Sequence, residues 1–472
     1  MFIIKKLINR FYNQEVEDFC TRLLYFFNTI DTYAYLVGAF SFFAYLYYFQ
    51  ASFSVVGVCF LSLAVFCLYR ICDFYPLFVL LSPVYLFFLI KVPAFDSSVM
   101  GFLLLMNFVA FLAIQICFMG FPDSIVARDP TISLRKIWNS IFTIAPTAVS
   151  LSMSFFFSTL FSLVLVFAPN PSESNGLFFW ISASLAAVIT YRFKPKSFVS
   201  DRVMPEIKAP LTGRVIILNI DGCRLDRFNE AKLPFLTSLQ KVGTCLPNGL
   251  ITVYRALTNP AFASILTGTR PEIHGIRDNN LGQKIKVEGL PDVVKSKLYG
   301  SMHVKHFSKP EWETKIVSLP THGIYKSDDI MLDLLKEDLR NEDGTRFYVA
   351  DLSEVDFLGH AYGSESTQYL DAMKRADQRI KEFFEFLKAE GLDSDTVTII
   401  CSDHGMVRID HSYLLFDAEK YVPFIIAGRG IKENNQLTFK ASIMDITPTI
   451  SYLLGVRYPD HCEGRVFMEA FS

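Results

Sequence analysis

No histidine precedes position 274 in this chain of 472 residues; all eight lie at or beyond it. Imidazole chemistry is therefore confined to the C-terminal part. No Cys-x-x-Cys pair occurs either. The nine cysteines, at 20, 59, 67, 72, 117, 223, 245, 401 and 462, are odd in number and scattered, which excludes a disulfide framework and leaves small buried apolar side chains. Net charge is only −2, with a pI near 6.5. No basic stripe stands out, so no nucleic-acid partner is expected.

What the chain has instead is apolar bulk. Hydrophobic residues make up 51% and aromatics 15%, with 46 phenylalanines, too apolar for two soluble domains of ordinary composition. The excess lies before 194, in six runs at about 33–49, 52–69, 74–90, 99–121, 141–168 and 176–191. Each approaches the roughly 20 residues that a bilayer crossing needs. The fifth is long and contains Pro146, so seven crossings is the alternative count. These runs hold almost no ionisable residue, which disfavours a transporter and favours an anchor at a lipid surface, or a lateral entry for a lipid substrate. The start, Met-Phe-Ile-Ile-Lys-Lys, lacks the pattern of a removable leader. Residues 11–30 read as an interfacial amphipathic helix or an ordinary packed one.

With six crossings, Lys5, Lys6, Arg10, Arg22, Arg70, Arg128, Arg135, Lys136, Arg192, Lys194 and Lys196 share one face and Lys91 lies near the other. The charge rule then puts the C-terminal domain in the cytoplasm. An extracytoplasmic placement is the alternative. The expected organisation is a multi-pass α-helical membrane domain over 1–193, a proline-bearing linker over 194–213, and an α/β domain over 214–472.

From 214 onward, β-branched runs at Val215–Ile220, Arg346–Leu352, Val397–Cys401 and Val422–Ala427 alternate with helical patterns, the clearest over Ser366–Ala389. That alternation predicts a mainly parallel sheet covered on both faces. Ligands bind such sheets at the carboxyl ends of the strands. Asp221 follows the first run, Asp356-x-x-x-His360 the second and Asp403-His404 the third. One Asp-Gly turn or one Asp-x-x-x-His pair means little alone; together and in order they point to a divalent metal centre.

At these residues the domain resembles the alkaline phosphatase superfamily, and within it the nucleotide pyrophosphatase/phosphodiesterase branch. Ala256-Leu-Thr-Asn-Pro-Ala-Phe-Ala-Ser-Ile-Leu-Thr-Gly-Thr-Arg-Pro-Glu-Ile-His-Gly-Ile276, followed by Arg277, Asp278 and Asn279, is similar to that branch's nucleophile segment. The resemblance implies Thr258 as nucleophile and Asn279 as the amide donating to a phosphoryl oxygen. It implies Asp221, Thr258, Asp403 and His404 around one metal and Asp356, His360 and His411 around the other. Zinc suits this Asp/His set, and manganese is the second choice. His461 is the rival of His411, because relatives carry a longer insertion before their last histidine. Phe262 stands where relatives commonly have His, which bears on substrate contacts.

The implied activity is a membrane-bound, metal-dependent phosphodiesterase or phosphotransferase acting on a phosphate ester, a lipid ester included. A phosphomonoesterase and an inactive membrane scaffold are the alternatives. Thr258-Asn-Pro-Ala-Phe is not the Cys- or Ser-x-Pro-x-Arg segment of sulfatases. His274, Asp445, Cys223 and Cys401 read as structural, and Arg255, three residues before Thr258, as either a phosphate contact or an ordinary salt-bridge partner. The segment 280–345 carries no legible motif.

Overall fold

The computed structural model describes residues 35–43, 55–72, 97–114, 130–143, 145–167, 192–279, 283–341 and 343–472, with a few isolated positions besides. The amphipathic reading of 11–30 and most of the runs at 74–90 and 176–191 lie outside them. Two compact units result. Residues 130–136 belong with 195–472 in one; the described residues of 23–122 and those of 137–194 form the other.

In the smaller unit, helices α1 (Val55–Cys72) and α2 (Ser97–Ile114) pack on α4 (Ala145–Phe167). α3 (Pro130–Thr143) precedes α4. Several polar groups buried there are satisfied internally. Tyr69 Oη lies 2.8 Å from Ser154 Oγ, Asn107 donates to Ser41 Oγ at 2.8 Å, and Ser152 and Thr159 donate to carbonyls one turn back. Among the described residues no helix is long and apolar enough to cross a membrane. This overturns the placement as a multi-pass membrane protein and the loop-charge assignment of the catalytic domain to the cytoplasm. At 18 residues each, α1 and α2 reach only about 27 Å at 1.5 Å per residue, short of a hydrocarbon core of about 30 Å. The run at 141–168 divides between α3 and α4, and the described part of α4 buries serine and threonine.

The larger unit is built on an eight-stranded sheet in the order β10-β2-β9-β7-β1-β6-β4-β5. Its centre is β7 (Thr396–Cys401), β1 (Arg214–Ile220) and β6 (Phe347–Leu352), all parallel. β4 (Ser296–Gly300) and β5 (Glu313–Ile316) continue the parallel set, while β9 (Phe424–Gly428) runs against β7 and β2 (Thr244–Cys245). β10 (Asn435–Gln436) closes the far edge, and a small second sheet joins β11 (Ala441–Ser442), β3 (Leu250–Ile251) and β8 (Tyr421–Val422). Pro423, which has no N–H to donate, divides the predicted Val422–Ala427 strand between β8 and β9.

Alternation along β1 explains the two layers. Val215 and Ile217 face a core that also holds Ala261, Phe262 and Ile265 of α5 (Thr258–Thr267) and Ile450 and Leu453 of α9 (Ile446–Leu454). Ile216, Leu218 and Ile220 face the opposite core. That layer contains α6 (Ile324–Arg340), α7 (Glu354–Tyr362) and α8 (Thr367–Ala389). Each fully buried Val, Leu or Ile contributes about 1.5–3 kcal/mol, so both faces are firmly covered. Ser366 caps α8 by accepting from Tyr369 N at 3.2 Å.

The segment before β1 has no regular structure yet is fastened along its length. Ser197 Oγ accepts from Tyr254 N at 2.9 Å, Val203 O from Val466 N at 2.8 Å, and Leu211 N donates to Leu453 O at 2.8 Å.

Candidate active site

Thr258, Asp221, Asp403 and Asp356 are brought to the carboxyl ends of β1, β6 and β7 from both layers. Asp221 follows β1 directly, and its N–H donates to Leu352 O at the end of β6. Gly222 takes φ +68, and a Cβ there would lie 2.6 Å from Asp356 Oδ1. Only glycine both turns the chain here and admits the Asp356 carboxylate. Asp356 and His360 lie one turn apart on α7, with Oδ2 and Nε2 3.3 Å from each other. Asp403 and His404 follow β7 and are fully buried. Thr258 opens α5, where the helix N-terminus favours negative charge.

The three histidines share one device. His360 Nδ1 donates to Ile409 O at 2.7 Å, His404 Nδ1 to Gly405 O at 3.0 Å and His411 Nδ1 to Ala256 O at 2.6 Å. Each backbone carbonyl fixes the tautomer and leaves Nε2 as a bare acceptor turned inward. His404 Nε2 lies 3.1 Å from Thr258 Oγ1, 3.4 Å from Asp221 Oδ1 and 3.3 Å from Asp403 Oδ2. His411 Nε2 lies 3.2 Å from His360 Nε2 and 3.7 Å from Asp356 Oδ1. Asp221 Oδ1, Asp356 Oδ1 and Asp403 Oδ2 are buried without a hydrogen-bond partner. Asp356, His360 and His411 form one group with ligand-type atoms within 4.8 Å of one another, and Asp221, Asp356 and His404 form a second. Orphaned carboxylate oxygens facing bare imidazole nitrogens fit divalent cations. Asp356 has an oxygen for each group.

Electrostatics agree. Burial, with Asp403 and Asp356 alongside, pushes Asp221 well above the ordinary carboxylate range. Burial and then Asp351 and Asp356 push Asp403 up to about 8. Burial would raise Asp356 too, but His360, then His411 and His404, outweigh it and hold the carboxyl low. His411 is pushed down to about 3 by burial and by His404, whose ring stacks on it at 3.8 Å. Such like charges cannot all ionise in so dry a site without cations.

Asn279 is buried, and its Oδ1 accepts from Asn259 N at 3.0 Å, which orients the carbonyl and leaves the Nδ2 group to donate. His461 is exposed at φ +68, whereas His411 is 3% exposed; the histidine brought to the others is His411. Phe262 is wholly buried, 5.7 Å from the Phe307 ring. It belongs to the core rather than to a substrate contact. Burial first, then neighbouring aspartates, raises the thiols of Cys223 and Cys401, which keeps them protonated and unsuited to a metal. His274 is buried between Ser264 Oγ and Ile276 N at 3.0 and 3.1 Å. Asp445 accepts from Ser442 N and Arg465 N.

Sequence reasoning missed Asp351. It is fully buried on β6, accepts from Asn219 Nδ2 at 2.7 Å and lies 3.1 Å from His303 Nε2. A lone acid inside a β-branched run was its signal. Tyr369 was visible only as helix core, yet its hydroxyl donates to Gly222 O at 2.5 Å.

Residues 215–289 and 301–449 match the family model of type I phosphodiesterases and nucleotide pyrophosphatases. A pyrophosphatase/phosphodiesterase of Schizosaccharomyces pombe is 27% identical over 230 residues, 43% of this chain and 46% of that one. Human ectonucleotide pyrophosphatase/phosphodiesterase family member 1 is 29% identical over 41% of this chain and 24% of its own length. The chain thus spans less than half the length of these curated relatives. The solved structure of murine ectonucleotide pyrophosphatase/phosphodiesterase 5 aligns with a TM-score of 0.45 and 14% identity over 52% of this chain and 96% of that one.

Proposed function

We propose that the chain is a metal-dependent phosphodiesterase with Thr258 as nucleophile. The observation that carries this is the gathering of three inward-turned Nε2 atoms and three orphaned carboxylate oxygens, with the Thr258 hydroxyl 3.1 Å from one of those nitrogens, that of His404. Asp221, Thr258, Asp403 and His404 would hold one cation and Asp356, His360 and His411 the other. Such cations supply acidity to a coordinated hydroxyl and neutralise charge on the phosphoryl oxygens.

The remaining work falls to the protein. Thr258 gives up its proton and its Oγ1 forms a bond to phosphorus, while the bond to the leaving oxygen breaks on the opposite side. Asn279 donates to a non-bridging oxygen as charge accumulates there. Water then attacks phosphorus, the threonyl ester bond breaks, and a phosphate monoester leaves with threonine regenerated. An acceptor alcohol in place of water would make the same site a transferase. Nucleotide diesters and other phosphodiesters, lipid ones included, are the candidate substrates.

The test is hydrolysis of bis-nitrophenyl phosphate and of nitrophenyl phosphate by the full chain with zinc or manganese added. Diester cleavage lost with chelator and in Thr258→Ala supports the reading. Preference for the monoester makes the protein a phosphatase, and silence on both with two metals bound points to a transferase.

A further inference from the structure

Asp351 is a buried acid that the chemistry above leaves unused. It follows Phe347 and Val349 on the face of β6 that meets α5 and is fully buried, where a carboxylate persists only if its oxygens are engaged. In register it pairs with Asn219 of β1, which pairs in turn with Cys401 of β7. Asn219 and Cys401 each stand two residues before Asp221 and Asp403. The three therefore form a row one pleat below those carboxylates. Asp351 Oδ1 accepts from Asn219 Nδ2 at 2.7 Å, and the Cys401 thiol donates to Asn219 Oδ1 at 3.8 Å. Both neighbouring strands thus hold the Asn219 amide in one orientation. With Gly222 N, that amide supplies the hydrogen bonding that opposes the upward push on the Asp403 carboxyl.

The second Asp351 oxygen meets a histidine. His303, on the short helix Met302–Phe307 after β4, is buried and places Nε2 3.1 Å from Oδ2. Neither atom has an aligned hydrogen bond. On the other side of the ring, Ser301 Oγ lies 2.6 Å from Nδ1. A carboxylate oxygen opposite Nε2 favours the tautomer with its proton there, and the serine hydroxyl then donates to Nδ1. This is the reverse of His360, His404 and His411, whose Nδ1 protons go to carbonyls. His303 is arranged to face an anion, not a cation.

We propose that His303 and Asp351 are positioning residues for the cation group of Asp221, Asp403 and His404. His303 holds Asp351, Asp351 holds the Asn219 amide, and that amide steadies the Asp403 carboxylate. The proposal rests on the metal ligands assigned in the phosphodiesterase reading.

The experiment measures zinc binding to the chelator-treated full chain, by competition with a chromophoric chelator, in wild type, His303→Ala, His303→Gln and Asp351→Asn. His404→Ala identifies which of the two binding events belongs to the Asp403 group. The expected result is a loss of about 10- to 100-fold in that affinity for His303→Ala and for Asp351→Asn, with the other event unchanged. His303→Gln, which can still donate an N–H to Asp351, retains most of the affinity. Combining His303→Ala with Asp351→Asn costs no more than Asp351→Asn alone, because the ring acts through the carboxylate. At saturating zinc, kcat on bis-nitrophenyl phosphate falls in His303→Ala while KM holds. Equal weakening of both binding events, or of neither, overturns the positioning role, as do losses that add in the double variant. Should Asp351→Asn fail to fold by circular dichroism, the contrast between His303→Ala and His303→Gln decides, and equal losses in the two overturn the proposal. Wild-type protein that binds two cations yet cleaves no diester overturns the phosphodiesterase chemistry and leaves the positioning role standing. Wild-type protein that binds none overturns both.

Discussion

His360 and His411 point their Nε2 atoms at each other across 3.2 Å, although each ring already donates its Nδ1 proton to a backbone carbonyl. With both Nδ1 protons committed to carbonyls, two neutral rings have no proton to bridge their nitrogens at that distance, and a cation between them would satisfy both. Binding to the folded state alone then stabilises it. A cation at 100 times its dissociation constant contributes about 2.7 kcal/mol. Adding zinc or manganese to chelator-treated protein should raise the melting temperature, and His411→Ala should blunt that rise. A melting temperature indifferent to metal would remove the basis for the ligand assignment.

Thr258 Oγ1 sits 3.1 Å from His404 Nε2 at the first position of α5. Thr258→Ala would remove the proposed nucleophile and leave the neighbouring imidazoles and carboxylates in place. Diester turnover should fall by about 10³-fold or more, with bound metal, measured by elemental analysis, reduced by less than one equivalent. Turnover that survives the substitution would make a water molecule the nucleophile.

In the proposed mechanism Asn279 would donate through Nδ2, since its oxygen is engaged by Asn259 N. Asn279→Ala should lower kcat by about 10²- to 10³-fold, as loss of a donor to a developing oxyanion does. An effect on KM alone, read from full saturation curves, would assign it to ground-state binding instead.

The central strands, the α8 pattern and the strand-end acids were legible because β1, β6 and β7 are predominantly apolar and each is followed within a few residues by an acid. β4 was not. Its Lys297 is 4% exposed, with Nζ 3.0 Å from Asp338 and 2.8 Å from Asp343, and partners 41 and 46 residues away cannot be seen in a local pattern. His411 and His461 could not be separated by spacing, because the choice depends on which loop returns to the Ala256 carbonyl. The membrane reading failed on a similar point: an apolar run in the sequence does not show how long a helix it forms, and among the described residues none is long and apolar enough to cross a membrane.

Phe262 fills the layer between α5 and Phe307 and is fully buried. Phe262→Ala should cost about 3–5 kcal/mol of stability through lost burial and the cavity left behind. Phe262→Leu should cost less, in line with its smaller loss of volume. Urea denaturation of the chelated protein measures both. A free energy unchanged by Phe262→Ala would mean that the position is not part of the core.

His274 gives the pH dependence. Burial pushes its imidazole down to about 3 from an ordinary value of 6.5, and Nδ1 accepts from Ile276 N while Nε2–H donates to Ser264 Oγ. The unfolded chain therefore takes up a proton below about 6.5 that the folded chain refuses until about 3. The stability contributed by the neutral ring is present in full above 6.5 and is lost as pH falls toward 3, at up to about 1.4 kcal/mol per pH unit for one proton. Glutamine at this position keeps a donor and an acceptor but cannot titrate. Urea denaturation at pH 7.5 and pH 5 should show wild type losing more stability than His274→Gln over the same interval, the difference isolating this ring from the carboxylates. Equal losses in the two proteins would mean that the imidazole is protonated in the fold or that its burial is relieved by water.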